Sequence, residues 1–427
     1  MAALKGRAGY SVIGDKSAEF YKDPIAFVNW RIKEYNSRVF LSRLLNKPTV
    51  FVGTINGVKE LTGAKNCHFD MGYRAFLQPV FGNNIMFETP AEAARLHQVI
   101  HRLYGAQTVP SVKNLIQRLT EKHFSNLDKS HCVSVYTLFK RFATEFSLEL
   151  FLGLDAEKHP DLTESIIDVT TTHWHGIISV PLTVKMSMFS SSYSRALEAK
   201  DKLLGIIRDK LAHTKDGSSL QSLTEAGFQT AEELEQHTLL FTSALVPKAI
   251  ASMLTSFLIA TGGSEKEILR QQAAEDADCL NHILLEVERL WPPILGGRRL
   301  TLEDCVIDGF KIPKGYAVVY ITHAAHRDPT IFPQPETFKP ERWKDRTSEA
   351  SNLLFTFGGG VRSCVGTALM KTSLQTVCRY LVEHYNWRIP AGQDLSYKWL
   401  PVSRPKDNTV ASFTPRLPQE TSTTNST

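Results

Sequence analysis

The chain has 427 residues, 42% of them hydrophobic and 22% charged, with a formal net charge of +5. This is ordinary usage for a folded protein with a sizeable core. So mild a positive excess argues against a nucleic-acid partner, while a basic patch meeting acidic lipid or a redox partner stays open. Six cysteines (Cys67, Cys132, Cys279, Cys305, Cys364 and Cys378) show no CxxC pair, so neither a zinc site nor a disulfide framework is indicated and a reducing compartment fits.

In chain order, the start MAALKGRAGYSVIGDKSAEF lacks the apolar run of a leader or anchor helix, and residues 1–13 are expected to be flexible. Residues 17–36 read as a helix interrupted by a proline, and VFLSRLL and PTVFVGT as two short strands around an Asn-Lys-Pro turn. From about 90 to 290 the pattern is mainly helical. AEAARLHQVIHRL, VKNLIQRLTEKHF, VYTLFKRFATEFSLELFLG and ALEAKDKLLGIIRDKL place apolar residues three and four apart. Residues 238–261 hold a single charge, Lys248, and are long enough to cross a bilayer. A lysine at mid-bilayer costs about 2.5–3.5 kcal/mol, so a buried central helix is the expectation. Strand-like RRLTL, CVIDGFKI and YAVVYIT follow, then a last long helix from near Gly366 through VCRYLVEHY. Residues 417–427 are polar and expected to be disordered. With no repeat or linker, residues 14–416 read as one domain, mainly α with a small β region.

The segment FTFGGGVRSCVGTALM, residues 355–370, carries the strongest chemical signal. Three glycines, Gly358 to Gly360, let a backbone approach a flat, bulky group without Cβ clashes. Cys364 follows at the start of a helix, where the dipole and amide donors are expected to lower its thiol pKa. A thiolate is the strong electron-donating ligand that a heme iron accepts. Arg362 can set its guanidinium on a heme propionate. Taken alone, the same text also describes a glycine turn around a structural cysteine.

Phe357-Gly358-Gly-Gly-Val-Arg362-Ser-Cys364-Val-Gly366, Glu286-Val-Glu-Arg289, and Phe338-Lys-Pro-Glu-Arg342-Trp preceded by Ala325-His-Arg-Asp-Pro329 resemble, in order and spacing, the defining motifs of the cytochrome P450 family. The resemblance runs from about residue 14 to 416 and implies the P450 fold and heme b, with Cys364 as the axial iron ligand. It implies a buried network of Glu286, Arg289 and Arg342 that braces the cysteine loop. Glu286 and Arg289, three apart, share one helix face. It further implies Arg299 and Arg362 as propionate partners, with Arg298 an uncertain neighbour in register, and His97 and His101 (or Arg102) on the helix beside the heme. Phe357 and Gly358 belong to the cofactor loop.

The central helix departs from the family. Its acid–alcohol pair, which relays protons during oxygen activation, is replaced by Leu245 and Val246 when LLF is aligned with the family's entry, and Pro247 follows directly. Thr242 and Ser243 are candidate substitutes, and a second register brings in Thr255. Three outcomes stay open: a monooxygenase with a replaced relay, a redox-independent catalyst of peroxide rearrangement, dehydration or cyclisation, and a heme-binding protein with little catalysis. The resemblance places Tyr73, Phe76, Phe81, Phe241, Ala244, Leu245, Ile294 and Leu295 around an apolar pocket. Such a pocket suits a lipophilic terpenoid, sterol, fatty acid or polyketide. A monooxygenase here needs a separate NADPH-dependent reductase, since no flavin or nicotinamide fingerprint is present. The apolar segment at 179–190 is a candidate for peripheral membrane contact.

Overall fold

The computed structural model describes residues 2–63, 65–178, 185–186, 189–214, 219–243 and 246–416. The chain begins with a short strand, β1 (Lys5–Gly6), parallel to β2 (Val39–Leu44) at Phe40 and Leu41. The Arg43 guanidinium donates to the carbonyls of Ala8 and Gly9, and the Asn46 amide oxygen accepts from Ser11 and Val12. Side chains of the β2 turn thus bond this lead-in at Ala8, Gly9, Ser11 and Val12. The helix read across 17–36 is two helices, α1 (Ser17–Lys22) and α2 (Pro24–Tyr35). Asp23 between them is extended and caps α2 through the amides of Ile25 and Ala26, while Pro24 occupies the first helical position, where its missing N–H is harmless.

Next come β3 (Lys47–Val52), α3 (Ile55–Thr62), β4 (Phe69–Met71), α4 (Arg74–Phe81) and α5 (Pro90–Tyr104). The long helices α6 (Val109–Phe124), α7 (Val135–Leu152), α8 (Pro160–Trp174) and α9 (Ser192–Ala212) follow. The central stretch holds α10 (Ala231–Ser243) and α11 (Val246–Ala260), then α12 (Ala277–Leu290). Strands β5 (Gly296–Thr301) and β6 (Ala317–Ile321) precede the last long helix, α13 (Thr367–His384).

Six strands form one sheet in the order β1-β2-β3-β6-β5-β4. Its two faces are buried differently. Phe20, Phe27, Phe40, Phe51 and Val319 pack under α1 and α2. On the other side, Val50, Val52, Val318 and Tyr320 meet Val58 and Leu61 of α3, together with Trp343, Leu354 and Phe355. The larger core lies between helices, where α11 packs on α7, α12 and α13. From Pro247 to Leu258 every residue is buried, so this apolar stretch is enclosed by other helices of the same chain. The tail at 417–427 and most of the candidate membrane segment at 179–190 lie outside the described residues.

Candidate functional site

The site is assembled around one carboxylate. Glu286 is fully buried on α12. Its Oε1 accepts from Arg289 Nη2 at 2.8 Å, the Lys339 amide at 2.9 Å and Arg342 Nε at 2.9 Å. Its Oε2 accepts from Arg289 Nε at 2.9 Å and Trp343 Nε1 at 3.0 Å. Burial pushes this carboxyl up, but the Arg289 bonds and charge, with Lys339 and Arg342 behind them, hold it below its usual range. The remaining guanidinium protons reach loop carbonyls: Arg289 Nη1 donates to His326 and Pro335, and Arg342 donates to Pro333 and Gln334. Glu286, Arg289 and Arg342, singled out in the sequence, are thus brought together. The Trp343 indole and the Lys339 amide were not foreseen, because both depend on the tight turn at Pro340–Trp343.

This braced loop leads into the cysteine segment. The Cys364 amide donates to the Phe357 carbonyl at 2.8 Å, and Gly358 N donates to Phe355 O at 2.9 Å, closing the loop on itself. Gly358 and Gly360 have φ of +72° and +60°, a region that favours glycine. A Cβ on Gly360 would stand 2.4 Å from the Thr62 carbonyl, and one on Gly359 2.9 Å from Thr62 Oγ1. Two of the three glycines are therefore required by the close approach of α3, a reason the sequence reading did not include. The Cys364 side chain is open to solvent, yet protein atoms crowd around it and desolvate the sulfur. Burial pushes the Cys364 thiol up, and the Gly366 amide and Thr367 hydroxyl pull it back only in part. The helix start alone does not ionise this sulfur, contrary to the expectation. A coordinated metal ion would, since thiols lose their proton on ligation.

Cationic side chains converge beside it. On β5, Arg299 and Arg298 pair with Val318 and Val319 of β6 and so face opposite ways. Arg299 lies near Arg362: burial lowers the Arg362 guanidinium, and the charge of Arg299 adds to that. Arg298 instead turns to Tyr73, its guanidinium carbon 5.9 Å from the ring centroid, and its Nε and Nη1 have no hydrogen-bond partner among the described residues. Arg362 donates to the carbonyls of Ile85, Met86 and Glu88. From α5, His97 Nε2 is 3.1 Å from the Ser363 carbonyl, and His101 lies one turn on with its ring 6.3 Å away. Cys364, with Arg362 two residues before it and the Arg299 charge bearing on Arg362, makes a donor set that fits a heme: a soft ligand for iron and cations for its carboxylates.

The central helices carry the candidate relay residues. Ser243 Oγ and His173 Nδ1 are 2.5 Å apart, and His173 Nε2 is 2.8 Å from the Val80 carbonyl, so the imidazole is neutral with its proton on Nε2. Burial takes His173 down to about 4. Thr242 Oγ1 and Thr255 Oγ1 are buried without a hydrogen-bond partner among the described residues. Leu245, expected at the relay acid position, and Ala244 lie outside the described residues. Val246 opens α11.

An apolar cluster collects residues from distant segments: Val80, Phe81, Phe87, Trp174, Tyr193 and Val402, with Leu240 and Ile294 packed against it. Of the pocket residues expected from the sequence, Phe81 and Ile294 are in this cluster. Phe241 is not: its ring packs against Tyr104 and Phe151 in the main core, because one residue along a helix turns the side chain by about 100°. Tyr73 turns away to Tyr21 and Arg298, Phe76 is half-buried outside the cluster, and Leu295 is held by its carbonyl, which accepts from Thr322. Trp174, Tyr193 and His173 had no local signal, since nothing near them in sequence marks which helix end meets this cluster.

The residue pattern of the family described as Cytochrome P450 matches residues 262–410, and one described as a domain of unknown function matches residues 83–149. A cytochrome P450 120 of Synechocystis sp. is 25% identical over 406 residues, 87% of this chain and 88% of that protein. A beta-amyrin 28-monooxygenase of Vitis vinifera is 23% identical over 417 residues, 90% of this chain and 86% of that one. The solved structure of retinoic acid bound cyanobacterial CYP120A1 superposes with a TM-score of 0.82 at 22% identity, covering 94% of this chain and 96% of that one.

Proposed function

Because this chain belongs to the cytochrome P450 family, we propose that Cys364 ligates the iron of heme b and that the enzyme is a monooxygenase of a lipophilic small molecule, placing one oxygen atom in a C–H or C=C bond. A thiolate-ligated heme supplies oxygen activation, with the sulfur pushing electron density toward the metal. The side chains do the rest. Arg299 and Arg362 hold the propionates, and the Glu286 network keeps the cysteine loop in register. His97 bonds the loop at Ser363. The cluster of Phe81, Trp174, Ile294 and Val402 binds the substrate and excludes water.

Residues 236–264 contain no Asp or Glu, so proton delivery falls to hydroxyls. Ser243 donates its proton to His173, whereas Thr242 and Thr255 have hydroxyls free to bond water or substrate. Electrons come from a separate NADPH-dependent reductase. The observation that carries this reading is an exposed cysteine on a glycine loop locked by the five donors on Glu286. The reduced protein under carbon monoxide is expected to show the red-shifted thiolate Soret band, and Cys364→Ser to lose it. The missing acid favours one second reading, a heme catalyst that needs no external electrons. Turnover of a lipophilic panel with and without reductase and NADPH separates the two.

A further inference from the structure

Lys248, on α11, is 6% exposed, and among the described residues its ammonium has neither a hydrogen bond nor an ion pair. Its Nζ lies 4.9 Å from the centroid of the Trp174 ring. The titratable groups that bear on it come from two other elements: Lys140 of α7, and His173 and His175 at the end of α8. Around these stand Arg404, acting on Lys140 and His175, Arg195 on His175, and Lys200 on His173. All are basic. A hydrocarbon side chain would fill the same space without desolvating a charge, so a purely structural role does not account for a lysine here. Trp174 in turn belongs to the apolar cluster of Val80, Phe81, Ile294 and Val402, which the proposed function assigns to the substrate.

We propose that Lys248 is the anchor for the carboxylate of a long-chain or polycyclic carboxylic acid substrate, held over the Trp174 ring, while the apolar cluster takes the hydrocarbon. One ammonium matches one negative charge, which selects a carboxylate over a phosphate that would draw on several donors. This specifies the substrate class of the proposed function and rests on it for the apolar cluster being the substrate's place. Desolvation lowers free Lys248 to about 7, and a bound carboxylate reverses that shift.

The test is calorimetric titration of the heme-loaded full chain with dodecanoic acid, dodecanol and methyl dodecanoate. The acid is expected to bind at least tenfold tighter than the alcohol or the ester at pH 6.5. Lys248→Met is expected to erase that ratio and leave the alcohol's affinity within twofold, Lys248→Arg to keep part of it, and Lys140→Met to keep all of it. At pH 8, acid binding by the native protein is expected to take up close to one proton, read from the dependence of the heat on buffer ionisation. A native protein that binds acid and alcohol equally, that binds none of them, or that takes up no proton overturns the proposal without any variant having to fold. So does an acid preference that survives Lys248→Met. These results count against the carboxylate anchor alone when the thiolate Soret band is intact. Its loss counts against the heme assignment instead.

Discussion

Five hydrogen bonds end on the two oxygens of the fully buried Glu286, so each donor replaces solvation that the carboxylate lost on folding. Removing the charged partner is far worse than removing a neutral one. Arg289→Met is expected to lower stability by about 3–5 kcal/mol, the range for stranding one half of a buried pair. Trp343→Phe, which deletes a single N–H donor, is expected to cost about 1–3 kcal/mol. Denaturant midpoints measure both, and equal losses would contradict the ordering. Two residues along, Glu288 is in the reverse situation. It is 5% exposed, and burial raises it to about 7 from 4.5 against the pull of Lys371. Between those values the folded chain holds a proton that the unfolded chain has released, so this group's contribution is present below pH 4.5 and is lost as pH rises toward 7. Glu288→Gln is expected to match the native protein at pH 4.5 and exceed its stability at pH 8 by at most about 3 kcal/mol, checked by paired melts.

At the scale of elements, the cysteine loop is shaped as much by α3 as by its own glycines. Gly358→Ala meets only its own loop, with Arg362 O at 3.6 Å, and suffers chiefly from its positive φ. Gly360→Ala suffers the same φ and drives a Cβ into the Thr62 carbonyl. The first is expected to cost about 1 kcal/mol and the second about 2–4 kcal/mol, with heme content after purification falling in the same order. Comparable behaviour of the two would remove α3 as the brace. This brace also marks where sequence reading stopped. The strands, the long helices and the Glu286–Arg289–Arg342 set were legible because each depends on short-range periodicity or on motif order. Contacts such as Gly360 with Thr62, or Ser243 with His173, join segments far apart in the chain, and no local pattern encodes them. Phe241 shows a finer limit: it packs in the main core, while the neighbouring Leu240 touches both that core and the cluster of Phe81 and Trp174.

For the whole molecule, pH acts through histidines that folding keeps neutral. His173 and His326 are lowered to about 4 and about 3, in each case mainly by burial, and His326 Nε2 accepts from the Phe355 amide. An imidazole whose folded pKa is depressed contributes stability above its unfolded value near 6.5, and that contribution is lost as pH falls below it. The melting temperature is therefore expected to drop from pH 6.5 to pH 4, even though Glu288 alone works in the opposite direction over part of that window. A flat profile would mean that these rings are not buried as described.

The reach of Glu286 has a consequence for how the protein is made. Its helix leaves the ribosome some fifty residues before the turn at Pro340–Trp343 that completes the cage around it. Until that turn emerges, α12 presents a carboxylate and a guanidinium joined only to each other, on a face otherwise built for the interior. The nascent chain is thus obliged to wait, half-assembled, through the synthesis of β5 and β6.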